Sequence, residues 1–367
     1  MTTPQAAPKI EITEAVQRLR QTLNARLVEQ AAKGQAPWQR KLDPGQGERL
    51  PYNPLSASQQ ALQGINGLVL ASIAQEKGFT DPRWVTKSQM EERGWGPIKG
   101  QSPASVEYYS DSFKAPRRDE QGNPMFDAKG DRVMDDIVRD LPQVHAVNMY
   151  NMSQIQTLQY ARETIPELKP VKREPDLAAL SKLVGASQIE VRPDGKNYFS
   201  NTEDHRGIAH VPLEEGMAKQ QSLLRAVASK AVLMDGAAGA RRVDTAEIRF
   251  AKQQLRIDIT TQIMSEKLGI PTAPERMASF KDKYAQVLQA DPDEIRYAGR
   301  DANRAVDRMV KNNFEPDKSR QRDAQQPARE EQRREPEQQQ QQQQKQQREA
   351  GKPAQAKAAK KDKGLDR

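Results

Sequence analysis

The chain has 367 residues, with 58 Lys/Arg against 50 Asp/Glu, a net charge of +8 and no cysteine. The lack of cysteine excludes disulfides, thiolate metal ligands and cysteine nucleophiles, and suits a reducing, cytoplasmic setting. No apolar run approaches the roughly 20 residues of a membrane span, and Met1 to Lys9 is polar and proline-broken, so neither a membrane protein nor a secretory leader is expected.

After a flexible stretch, 1–12, Thr13 opens the first predicted helix, with Val16, Leu19, Leu23 and Leu27 on one face and Gly34 as its stop. Ala36-Pro37-Trp38 leaves it as a turn. A second helix carries Ile65, Leu68, Val69 and Ile73 and stops at Gly78. Thr86-Lys87-Ser88-Gln89 reads as a capping box whose short helix ends at Gly94. Val106 to Tyr109 and Val144 to Tyr150 alternate as strands, with an acidic, turn-rich excursion over 111–140 between them. Asn151, with Gln154 three positions on, caps another helix. These elements predict an α+β domain over 13–165.

Prolines 166, 170 and 175 among Lys and Glu mark a linker, 166–176. Beyond it come a helix from Leu177 and a hairpin from Ile189-Glu190-Val191 through Asp194-Gly195 to Tyr198-Phe199. Helices follow from Met217 to Met234, behind Asp244-Thr245, and behind Asp291-Pro292-Asp293-Glu294. The second domain, 177–312, is thus predicted to be mostly helical. From 313 to 367 the apolar periodicity vanishes and seven consecutive glutamines occupy 338–344. Such a composition buries too little apolar surface to offset chain entropy, which predicts a disordered tail. That tail holds 14 Lys/Arg against 10 Asp/Glu, so half of the net charge sits there.

All three tryptophans, Trp38, Trp84 and Trp95, lie in the first hundred residues close to basic side chains. An aromatic ring beside a cation suits single-stranded nucleic acid, since bases stack on the ring while the cation meets phosphate. Trp38, Arg40, Asn66, Arg83, Trp84, Lys87, Lys99 and Tyr108 are the candidate DNA-binding residues. Each also has an ordinary reading. Tryptophan area drives burial, Gly64-Ile65-Asn66 suits a helix start, and Lys99-Gly100 suits a plain turn.

The segments Ala36-Pro37-Trp38-Gln39, Gly64-Ile65-Asn66-Gly67, Asp81-Pro82-Arg83-Trp84-Val85-Thr86 and Lys99-Gly100 resemble, in order and spacing, the N-terminal single-stranded-DNA-binding domain of ArdC-type antirestriction proteins. Conjugative plasmid primases share that domain. Val147 to Ile155 resembles its closing strand and following helix. The resemblance implies a cytoplasmic, sequence-tolerant single-stranded-DNA-binding protein of a mobile element, acting in conjugation or antirestriction. It places Asn66 close to bound DNA, and residues 1–165 alone are expected to carry the binding.

In that family a zinc-peptidase helix with His-Glu-x-x-His follows. The corresponding positions here, after Leu223-Leu224, hold Arg225, Ala226 and Ser229, with Asp258 near the third ligand. Arginine has no lone pair for zinc and alanine cannot act as a base, so the domain is expected to be peptidase-like in scaffold, with its metal ligands absent and no catalysis. No cofactor and no metal are expected. His205 and His210 could form a metal pair or a general base oriented by Asp204, although ordinary loop histidines are the simpler reading. His145 reads as a structural strand residue. The rival readings are a non-catalytic adaptor that docks conjugation or primase proteins, and an active antirestriction metallopeptidase.

Overall fold

The computed structural model describes residues 11–314, apart from 57, 63, 120, 128, 129, 131, 162, 203–206, 235–243, 274–279 and 313. The expected tail beyond Phe314, the flexible 1–10 and the pair Asp204 and His205 lie outside the described residues. No described helix is long and apolar enough to cross a membrane.

The first helix, α1 (Glu14–Ala32), starts where Thr13 Oγ1 accepts from the amide of Val16, and it buries Val16, Leu23, Leu27 and Ala31. A 3-10 turn at Pro37–Gln39 and helix α2 (Gly64–Lys77) follow. The capping box is present as predicted. The Gln89 amide donates to Thr86 Oγ1 at 3.3 Å and the Thr86 amide donates to Gln89 Oε1 at 3.0 Å, opening α3 (Lys87–Glu92).

Strand β5 (Met134–Asn151) organises this half. It pairs antiparallel with β4 (Ala104–Pro116) along one edge. On the other edge it takes β1 (Glu11–Ile12) in parallel and β2 (Trp84–Thr86) antiparallel. Glu11 and Ile12 are therefore strand residues, where the sequence predicts a flexible start. A second pair joins β3 (Trp95–Pro97) to β6 (Ile155–Thr157). The helix expected after Asn151 is only a three-residue 3-10 turn, Met152–Gln154. Its cap forms as predicted, but Ile155 is drawn into the pairing with Pro97, and tertiary pairing overrides the local signal.

In the other half, α4 (Leu177–Ser187) precedes a three-stranded sheet of β7 (Glu190–Pro193), β8 (Tyr198–Ser200) and β9 (Ile208–Val211). The expected hairpin is not formed. Strand β9 lies between the other two, parallel to β7 and antiparallel to β8. Among the described residues, helices α5 (Met217–Leu233), α6 (Ala246–Leu268), α7 (Lys281–Ala290) and α8 (Glu294–Val310) follow.

The two expected domains share a core. Leu27, Ala31, Trp38 and Leu68 pack with Leu255 and Ile259 of α6, Tyr284 and Leu288 of α7, and Ile295, Ala298 and Ala302 of α8. At Gly299 of α8 an added Cβ would lie 3.2 Å from backbone atoms of Gly64 and Ile65, so this glycine lets two helices from the two halves approach backbone to backbone. The chain up to Phe314 accordingly forms one compact unit. The segment 166–176 is tied down rather than free. The amide of Arg173 donates to Pro44 O at 3.0 Å, that of Asp176 donates to Leu268 O at 2.8 Å, and the Arg173 guanidinium donates to Glu266 O at 2.9 Å.

Candidate nucleic-acid interface

Three segments, 40–52, 79–84 and 166–171, enclose a groove with a volume of about 720 Å³. Trp38 anchors the entry to the first segment, and the Leu42 amide donates to Thr272 Oγ1 at 2.8 Å, which holds the extended chain beyond it. Arg40, Lys41 and Lys169 stand exposed at the groove, with Lys41 3.6 Å from Asp43. Arg49 and Arg83 also line it but are engaged. Arg49 lies 3.7 Å over the Tyr52 ring and donates to Glu266 Oε1 at 3.1 Å. Arg83 is forked onto Asp81 at 2.7–3.1 Å and donates to Pro166 O at 2.8 Å, and the Asp81 hydrogen bonds raise its pKa further. Glu48, Asp81 and Glu167 temper the positive charge.

Of the eight predicted residues, Arg40, Arg83 and Trp84 meet at this groove, while the others do not line it. Trp38 and Trp84 are corrected from stacking platforms to core anchors. Both are 0% exposed, Trp38 edge-on to Tyr284 at 6.3 Å and Trp84 edge-on to Phe79 at 6.0 Å. Neither ring offers a face to a base; their large apolar area is what buried them. Asn66 is likewise committed to the fold. Its amide donates to Glu107 O at 2.6 Å and accepts from the Glu107 amide at 3.0 Å, pinning α2 to the free edge of β4. Arg83 is 7% exposed, so its guanidinium serves Asp81 before any phosphate. Lys87 is exposed and 3.6 Å from Glu91. Lys99 is exposed beside Gly100, whose φ of 87° makes the turn. Tyr108, 60% exposed on β4, is the one predicted aromatic with an open ring.

A second cleft, of about 400 Å³, is lined by Arg225, Ala226 and Ser229 of α5 and walled by Tyr198, Phe199, Phe250 and Phe280. Arg225 is ion-paired with the fully buried Asp258 and donates to Gln254 Oε1 at 2.8 Å. The Tyr284 hydroxyl donates to the other Asp258 oxygen. Burial and the adjacent carboxylate hold the Tyr284 pKa well above 10, so it remains a donor. Ser229 Oγ donates to Arg225 O at 2.8 Å, one turn back in its own helix. Among the described residues no group of three His, Cys, Asp or Glu could hold a metal. The described donors here, a guanidinium against one carboxylate, do not suit a divalent cation.

Sequence reasoning missed two arrangements. Glu107, 2% exposed, receives Arg20 from α1 and Arg296 from α8. His210 lies on β9 rather than in a loop, 7% exposed, and its carboxylate partner is Asp194. His210 Nδ1 is 2.7 Å from Asp194 Oδ2, and Nε2 is 3.1 Å from Ser200 Oγ. The hydrogen bond from His210 holds the Asp194 carboxyl below its usual value. No local motif announces this cluster, because it needs β9 inserted between β7 and β8.

Residues 17–149 match the family model of the N-terminal domain of anti-restriction factor ArdC. Two proteins described as DNA primase TraC from Escherichia coli are each 28% identical to the chain, over 82% and 78% of its length. The chain spans only 28% and 19% of those longer proteins. The metal-free crystal structure of the antirestriction ArdC protein from the R388 plasmid superposes with a TM-score of 0.57 at 20% identity, covering 80% of this chain and 97% of that one. Its Mn(II)-bound form gives 0.56 at 17% identity, covering 80% and 98%. The ArdC-type resemblance is thus borne out, in sequence over the N-terminal domain and in fold over four fifths of the chain.

Proposed function

We propose that this protein is a sequence-tolerant single-stranded-DNA-binding protein of a mobile element, serving conjugative transfer or antirestriction. The observation that carries this reading is the groove at which exposed Arg40, Lys41 and Lys169 converge, built largely from a domain of the ArdC type. A single strand is flexible enough to follow a groove of this size with its phosphates against three cations, whereas a duplex is stiff and wide. With the tryptophans in the core, affinity rests on phosphate contacts more than on stacking, and Tyr108 is the remaining candidate platform. The C-terminal half keeps a peptidase-like scaffold that does not hydrolyse peptides, a reading supported by the Arg225–Asp258 pair where a metal would need free ligands.

A fluorescence titration of the whole chain with single-stranded and duplex oligonucleotides tests this. Tighter single-strand binding with little sequence preference supports it, and equal competition by duplex overturns it. The adaptor reading is favoured by one observation, the exposed aromatic wall of the second cleft, where Phe250 is 51% exposed. Recovery of a transfer or primase protein from DNase-treated lysate, lost on Phe250→Ala, would move that reading ahead.

A further inference from the structure

We propose that Ser200 is an activated nucleophile, and that Asp194, His210 and Ser200 form an acyl-transfer site for small activated esters. The three residues are brought together by strand order alone. Ala209 and Val211 of β9 turn into the core, so the intervening His210 points to the opposite face of the sheet. Tyr198 pairs directly with His210 and Ser200 with Ile208, which places Ser200 on that same face. Asp194 follows β7, the strand on the other side of β9.

The contacts have the direction that nucleophile activation needs. The Asp194 carboxylate, 2.7 Å from Nδ1, holds the proton on that nitrogen and leaves the Nε2 lone pair facing Ser200 Oγ at 3.1 Å. The carboxylate is itself fixed, since the Lys196 amide donates to Oδ1 at 3.1 Å and Lys196 Nζ lies 3.8 Å away. The Tyr198 ring, stacked on the imidazole at 4.1 Å, restrains its rotation. Tyr198 and Leu213 remain 43% and 67% exposed, and Leu213 lies against Gly195, the residue after Asp194. These apolar surfaces suit a flat aryl group or a short acyl chain. Lys196 is the nearby cation for a developing oxyanion, a weak substitute for fixed amides, which restricts the site to esters with good leaving groups.

In the proposed step Ser200 Oγ bonds to the ester carbonyl carbon while its proton passes to His210 Nε2. The tetrahedral adduct collapses, the bond to the aryloxy group breaks, and that oxygen leaves with the proton from His210. Water then adds to the acyl-serine, giving a proton to His210. The carboxylic acid departs as Ser200 Oγ is reprotonated. One ester and one water become one acid and one phenol, with no redox change.

The test uses the full chain with a fluorophosphonate probe and with p-nitrophenyl acetate. The expected result is one adduct per chain, mapped by mass spectrometry to Ser200, and a nitrophenolate burst matching the protein concentration. Ser200→Ala should abolish both. His210→Gln and Asp194→Asn, with wild-type circular dichroism, should slow labelling by about a hundredfold, the range of a lost general base. Absence of an adduct on Ser200 in the folded wild-type chain overturns the proposal by itself. Labelling of folded His210→Gln at the wild-type rate does so too, because the serine would then react without its base.

Discussion

Glu107 on β4 and Arg296 on α8, 189 residues apart in sequence, form an ion pair that closes over the meeting place of the two halves. Arg20 completes it with two hydrogen bonds at 3.0–3.1 Å. A buried carboxylate left without partners is costly, while the pair itself adds little over an apolar packing. Because Arg20 still pairs with Glu107 when Arg296 is removed, Arg296→Ala should destabilise the protein by about 1.5 kcal/mol, the loss of one charged hydrogen bond and less than the loss of both arginines. Denaturant unfolding followed by Trp fluorescence and by circular dichroism should still give one coincident transition. Two separated transitions would mean that the halves fold independently.

Trp38 and Trp84 should matter to stability and not directly to DNA. Trp38→Phe and Trp84→Phe are expected to cost about 1–3 kcal/mol of folding free energy. At temperatures where they stay folded, their affinity for single-stranded DNA should equal that of the wild type. A folded variant losing the about 1–3 kcal/mol of binding that a stacked base supplies would place the ring at the interface after all.

Arg40→Ala, Lys41→Ala and Lys169→Ala probe the groove through its salt dependence. Each phosphate contact removed should lower the slope of log affinity against log salt by about 0.7. Fluorescence anisotropy across a salt series reads this directly. Slopes that do not move in any of the three would put the strand elsewhere, with Lys99 and Tyr108 the next residues to change.

Among the described residues, Arg225→Ala leaves the fully buried Asp258 with the Tyr284 hydroxyl as its side-chain partner, and should cost about 3 kcal/mol in thermal or denaturant unfolding. The double variant Arg225→Met with Asp258→Asn should recover most of it, since both charges go together. If the single variant is as stable as wild type, the pair is not the support of the cleft.

The Asp194–His210 bond predicts an acid-side effect of definite sign. A carboxyl whose folded pKa is lowered from 3.8 binds fewer protons when folded than unfolded over that range. Its contribution is full above the unfolded value and is lost as pH falls through the lowered folded one. Asp194→Asn should flatten that part of the stability curve, measured by urea unfolding from about pH 6 down to about pH 2.5. An unchanged slope would show that the bond gives no preferential stabilisation.

Local chemistry was legible where it is self-contained. Thr13, the Thr86–Gln89 box and the Asn151–Gln154 cap all sit where their side chains predict, because each partner is three residues away. The helical stripe of Val16, Leu23 and Leu27 was legible for the same reason. What they pack against was not. Trp38 meets Tyr284, Glu107 meets Arg296, and His210 meets Asp194 only through the tertiary arrangement, so no spacing in the chain encodes the contact. The basic residues at the groove were half legible: Arg40 was read from its neighbourhood of Trp38, whereas Lys169 lay in what read as a linker.

The shared core also limits how such a protein can be taken apart or exchanged. Cutting at residue 165 would strand Leu27, Ala31, Trp38 and Leu68 in water, a contiguous oily strip with no partner. A fragment of 1–165 should therefore be less stable and more prone to aggregate than the whole chain, which thermal unfolding of the two would show. Recombination faces the same constraint: a crossover in 166–176 would join helices α1 and α2 to foreign counterparts of α7 and α8 that must match Trp38 and the Gly64–Ile65 backbone in shape. The match of the family model ends at residue 149, yet the compact unit that must be kept whole runs on to residue 314.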